Sequence, residues 1–336
     1  MHDSVEEVWV SAESLNLART PPPPPPDNWD DVRPLLRSIF RPATYGSLIR
    51  AGEPVAWRTT PTSLVHELVA VDMPEARAIV TVGNTEKWGV SWDDVMAAGR
   101  ENVSRLHPLS LRTPGTEGVF VDEDQSSYIT SAITTPGWLE AFVGAGGQRP
   151  LAFIPNEDTL IIGYDDPDEG AKYFEMAEQM YCESERHVSP QAFTVHGGLV
   201  VPFDKAGPHP LRDLALRARA CATVRQYEEQ TEFLKQIYVE ELIDVFVAQT
   251  MTFDAGHGKR TGAVWGEGIT TDLPEVDYIC FVNNTTNFIV PFPVVVDVIG
   301  IQPIPGYFPP RYRVSGWPEP KLLDALRFHA LPSAPG

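Results

Sequence analysis

The chain has 336 residues, 43% of them hydrophobic, enough to bury a substantial core in one large or two ordinary domains. Its 26 basic residues face 46 acidic ones, and the formal charge of −20 opposes both the counterion release that drives nucleic-acid binding and the attraction to anionic membrane surfaces. Neither nucleic acid nor membrane is expected as a partner: the most apolar stretch, residues 288–308, is interrupted by Asp297 and four prolines and reads as a soluble core segment.

The first residues carry acids where a signal peptide needs bases, and Cys182, Cys221 and Cys280 are odd in number and far apart. Both features predict a cytoplasmic protein with reduced thiols. Residues 1–26 read as a mobile tail ending in six consecutive prolines, which act either as a ligand for a proline-recognising groove or as a stiff spacer. Asn28 or Asp27 caps a predicted helix through Trp29, Val32, Leu35, Leu36 and Ile39, and residues 55–57 form a short strand.

Residues 64–71 and 77–82 are two strands, turned by Asp72-Met73-Pro74 because proline cannot donate to a ladder. Residues 85–88 allow one helical turn before Gly89, and Ser91 with Asp94 caps the helix that follows. Trp92, Val95, Met96, Gly99, Val103 and Leu106 make one apolar stripe over residues 92–106, expected to lie on the hairpin.

Further on, residues 119–121 and 128–133 read as strands about Asp122-Glu123-Asp124, a solvated turn whose spacing does not fit a calcium loop. Pro136 opens a predicted helix through Phe142, residues 151–154 and 159–163 form a hairpin, and Asp166-Pro167 begins a helix with Tyr173, Phe174, Ala177 and Tyr181 inside. Asp72-Met73-Pro74, Trp88-Gly89-Val90-Ser91 and Pro155-Asn156-Glu157-Asp158 together resemble the pattern of the YtpQ-like bacterial proteins over about residues 55–201. That resemblance implies a bacterial cytosolic α+β domain. It implies no catalytic residue, because the family has no established activity.

Gly207, Pro208 and Pro210 mark a boundary, after which residues 211–238 form a long helix with two apolar faces, as expected of a helix packed on both sides. Strands at 243–253, 262–265, 276–282 and 287–290 and a helix at 321–328 follow. The fold class is α+β: mixed or antiparallel sheets of hairpins with packed amphipathic helices, in two α+β units (27–205 and 206–336) joined by the long helix.

The candidate site residues are few. Cys182 and His187 pair a thiol with an imidazole five residues on, the minimum for a cysteine nucleophile, and His196 stands in a glycine turn. Asp254 and His257 precede Gly258-Lys259, which resembles the end of a phosphate loop, but Arg260 replaces the required Ser or Thr. Tyr307, Phe308, Arg311, Tyr312, Arg313 and Trp317 combine aromatics with arginines, the composition of a binding hot spot and equally of a segment packed on the body. The first functional reading is a non-catalytic module that binds a protein partner or a small molecule and needs no cofactor. The alternative is a hydrolase or transferase with its site in the cleft between the halves.

Overall fold

In the computed structural model the described residues are 24–46, 57–60, 62–74, 76–107, 117–123, 128–144, 147–254, 258–285 and 287–331; the tail before residue 24, the strand expected at 55–56 and most of the loop after residue 107 lie outside them. Helix α1 (Trp29–Val32), capped by Asn28, stops after one turn. The helix expected through Ile39 is not formed: Pro34 falls beyond the first turn, where its missing N–H breaks the ladder, and a 3-10 turn leads into strand β1 (Leu36–Pro42).

Strands β2 (Trp57–Thr59) and β3 (Val65–Met73) join β1 in an antiparallel sheet of order β1-β3-β2, with β4 (Ala76–Ile79) paired to β3 across the predicted hairpin. The second hairpin strand ends at Ile79 rather than at residue 82, because Thr81 and Asn84 make a capping box that starts helix α2 at once (Val82–Trp88). Gly89, at φ +66°, ends α2, and Ser91 and Asp94 cap α3 (Trp92–Leu106) as expected. That helix lies over β1 as well as β3, and Gly99 permits the approach: a Cβ there would meet the Ser38 backbone nitrogen at 3.1 Å.

A five-stranded antiparallel sheet packs behind the first, built from β5 (Gly118–Val121), β6 (Pro150–Asn156), β7 (Thr159–Tyr164), β8 (His187–His196) and β9 (Leu199–Pro202) in the order β5-β7-β6-β8-β9. Leu151 and Phe153 of β6 face helix α4 (Ala171–Glu183), while Ala152 and Ile154 face the core shared with the first sheet. Both faces are covered, which explains the continuous apolar run.

Residues expected as a strand at 128–133 form a 3-10 turn instead (Ile129–Thr134), opened by Tyr128 at φ 54°. The helix expected from Pro136 shrinks to another (Glu140–Phe142), since Gly137 at φ 76° interrupts it. Asp166 caps a separate turn by accepting the Asp168 and Glu169 N–H groups, and α4 begins only at Ala171.

Helix α5 (Arg212–Glu240) divides the chain. Beyond it, the expected strand at 243–253 is two, β10 (Phe246–Val247) and β11 (Met251–Asp254). Strands β12 (Lys259–Gly266), β14 (Tyr278–Val282) and β15 (Asn287–Pro291) form with β11 a mixed sheet, β12 and β14 running parallel. Strand β13 (Thr271–Pro274) pairs with β10 and with β16 (Arg311–Val314) in a further small sheet. Helices α6 (Phe292–Ile299), tolerant of Pro293 in its first turn, and α7 (Pro320–Phe328) cover a core of Trp265, Phe281 and Val290.

Candidate functional site

One face of α5 carries Arg219, Thr223, Gln226, Gln230 and Leu234 at spacings of three or four residues, so these side chains line up on one side of the helix. Near its start the helix carries Ala215 and Ala218, whose small side chains let it settle against Leu151 and Phe153. The polar face holds both halves. Gln226 is fully buried, accepts from the Ala43 N–H at 3.1 Å and donates to the Leu64 carbonyl at 2.8 Å, while Gln230 donates to the Pro309 carbonyl at 2.8 Å.

Arg219 sits where the halves meet. Its Nη1 reaches Asp204 Oδ2 and its Nη2 reaches Asp277 Oδ1, each at 2.6 Å. The second oxygen of Asp277 accepts from the Thr261 N–H at 2.8 Å and from the Thr261 hydroxyl at 3.0 Å. These bonds fix the carboxylate between the guanidinium and β12.

A cleft opens on either side of this bridge. One lobe, of about 670 Å³, is lined by four cations, Lys205, Arg212, Arg219 and Arg260, against two carboxylates, Asp204 and Asp277. The other, of about 370 Å³, shares Lys205, Arg219 and Asp277 and adds Glu275, Asp297 and the aromatic wall of Phe292 and Tyr312. Glu275 is itself held from both halves, accepting from Tyr312 Oη at 3.2 Å and Ser63 Oγ at 3.4 Å. The cleft is thus dipolar, positive at the Arg260 end and negative at the Glu275 end. Among the described residues Lys205, Arg212 and Arg260 form no ion pair with a carboxylate.

The residues singled out from the sequence lie elsewhere. Cys182 is exposed on α4, His196 is exposed at the β8–β9 turn, Asp254 is exposed at the end of β11, and His257 lies outside the described residues. His187 is buried at the start of β8, with Nε2 3.2 Å from Glu229 Oε1 and its ring edge-on to Tyr181 at 5.1 Å. Burial raises the Glu229 carboxyl, but His187, Thr44 and Arg225 outweigh it and hold the group below the usual range. No hydrogen bond or ion pair joins Cys182 to His187. Burial pushes the neighbouring Cys221 thiol up to about 12, far from a thiolate nucleophile.

Much of the aromatic and arginine segment packs inward, while Arg313 keeps 41% of its side chain exposed. Arg311 is fully buried, and its five N–H groups go to Gln230 Oε1 at 2.6 Å, to the carbonyls of Ala248 at 3.0 Å, Asp272 at 2.9 Å and Tyr227 at 3.4 Å, and to Thr231 Oγ1 at 2.7 Å. Burial pushes its pKa down to about 10. Arg313 forks onto the buried Asp272 at 2.8 and 2.9 Å, and Tyr238 joins the same carboxylate to Tyr307. Phe308 lies against the His66 ring at 5.4 Å, Tyr312 against Phe292 at 5.1 Å, and Trp317 against Phe281 at 5.8 Å.

The cleft residues escaped sequence reasoning because they come from separate elements. One signal was present: Lys205, Arg212, Arg217, Arg219, Lys259 and Arg260 concentrate positive charge around the start of α5 and the β11–β12 loop of an acidic chain. Gly258, just before β12, lies against α5, where a Cβ on it would meet Asp213 at 3.3 Å. Among the described residues no group of three His, Cys, Asp or Glu side chains is placed to hold a metal ion, and no helix is long and apolar enough to cross a membrane. No family model, curated protein or solved structure matches the chain.

Proposed function

We infer that the protein is a binding module that takes an anionic small molecule in the cleft between its two halves. The observation that carries this reading is the cluster of Lys205, Arg212 and Arg260 around Arg219, a local surplus of two positive charges in a chain of formal charge −20. Cations without carboxylate partners on a concave surface attract an anion from solution and fix it by charge-assisted hydrogen bonds. The Glu275 end accepts hydrogen bonds, so the ligand carries hydroxyl or amine donors away from its anionic group. A phosphate ester of a small polyol has that chemistry. A cytoplasmic location and a place among the YtpQ-like bacterial proteins go with this reading as expectations resting on composition and motifs.

The test is a thermal-unfolding series with inorganic phosphate, glucose 6-phosphate and glucose. A ligand at 100 times its Kd stabilises the fold by about 2.7 kcal/mol. Stabilisation by the sugar phosphate beyond that by phosphate, with none from glucose, supports the reading. No shift with either anion overturns it.

A further inference from the structure

A second cavity, of about 370 Å³, lies between the first sheet and the β8–β9 hairpin. Its volume falls in the range of small-ligand pockets, about 300–1,000 Å³. Phe40, Ile133, Phe193 and Val200 supply apolar walls. Glu67 and Arg100 supply the polar part: Glu67 is buried, accepts from Ser38 Oγ at 2.6 Å and from Arg100 Nε at 2.7 Å, and also meets Arg100 Nη2.

Burying that carboxylate is tolerable only because the guanidinium forks onto it, and the pair is neutral as a unit. The fork uses Nε and Nη2, which leaves Arg100 Nη1 without an acceptor among the described residues. Thr135 Oγ1, on the same cavity, is shielded from solvent and has no hydrogen-bond partner. Thr135 Oγ1 is thus a buried donor left unpaired at an apolar space, which is costly, and Arg100, with 37% of its side chain exposed, lines the same space. Glu140 also lines the cavity, and its carboxylate repels an anion there.

We propose that this cavity is a binding site for an uncharged, mainly apolar small molecule bearing one oxygen acceptor, such as an aromatic ketone or alcohol. The oxygen accepts from Thr135 and Arg100, and the apolar body lies between Phe40, Ile133 and Phe193. The site is independent of the charged cleft and shares no lining residue with it.

The experiment uses 6-propionyl-2-dimethylaminonaphthalene, a neutral fluorescent ketone whose emission moves to the blue in a dry site, titrated into the full chain. The expected result is saturable binding of one molecule per chain with blue-shifted emission. Thr135→Val weakens it about fivefold, the loss expected for one hydrogen bond. Val200→Trp, which fills the cavity from its edge, abolishes it while circular dichroism shows a folded chain. 2-Naphthoate, of similar body but anionic, competes at least tenfold more weakly than 2-acetylnaphthalene. Non-saturable binding, equal binding by T135V and wild type, or equal competition by the carboxylate each overturns the proposal. T135V keeps the test decisive if V200W does not fold.

Discussion

Asp204 and Asp277, one from each half of the chain, are held 2.6 Å from the two terminal nitrogens of the same arginine, Arg219 of the dividing helix. Asp204 is almost fully buried, with 4% of its side chain exposed, so the shared cation is what makes its burial tolerable. The bridge ties the second sheet to the C-terminal half and forms the common floor of both lobes of the cleft.

Removing the cation should therefore cost more than an exposed ion pair would. Arg219→Leu leaves Asp204 buried and unpaired, and a destabilisation on the order of 3 kcal/mol is expected. The triple variant with Asp204→Asn and Asp277→Asn should recover part of that loss, because the stranded charges go with it. Urea unfolding of the series measures the coupling.

Arg311 makes a different demand, since its fully buried guanidinium meets five acceptors and no carboxylate. Lysine carries the same charge but only three donors without the planar fork. Arg311→Lys should destabilise by about 3 kcal/mol, close to Arg311→Met. A lysine variant as stable as wild type would show that charge alone matters there.

His66 gives the protein a predictable acid response. Burial pushes its imidazole down to about 4, so the unfolded chain takes up the proton first as pH falls below about 6.5. The contribution is fully present above that pH and is lost as pH falls through about 4, on the order of 3 kcal/mol in all. The stability difference between wild type and His66→Gln should shrink by this amount between pH 7 and pH 4. A difference independent of pH would contradict it.

Gly163 of β7 is there for the ring above it: a Cβ would meet Tyr173 at 2.3 Å. Gly163→Ala should destabilise by about 2 kcal/mol through overpacking, and Tyr173→Leu in the same chain should relieve part of it. Thermal unfolding of wild type and the two variants decides.

Much of the fold was readable where hydrophobic pattern and capping agree. Ser91, Asp94 and the stripe from Trp92 place α3, and the two apolar faces of residues 211–238 place α5 between two bodies. Strands β13 and β16 escaped because they bury Asp272 and Arg311, and a pattern reading assigns charges to the surface. The segment from Tyr307 to Trp317 read from its composition as either a binding hot spot or a packed segment, and its arginines anchor to α5 and β13. The cleft was illegible for a further reason. Lys205, Arg212, Arg219 and Arg260 approach only once the start of β12, from Gly258, lies against the start of α5, a contact that no local spacing encodes.

The most direct test of the cleft reading is a calorimetric titration of glucose 6-phosphate into wild type and into the double variant Lys205→Gln, Arg260→Gln. Neither substitution touches the Arg219 bridge, so both proteins should unfold at the same temperature. The account predicts one site per wild-type chain and affinity at least tenfold weaker in the variant, the loss expected when charge-assisted hydrogen bonds to the anion are removed. Equal affinity in the two proteins, or no heat with either, would contradict it.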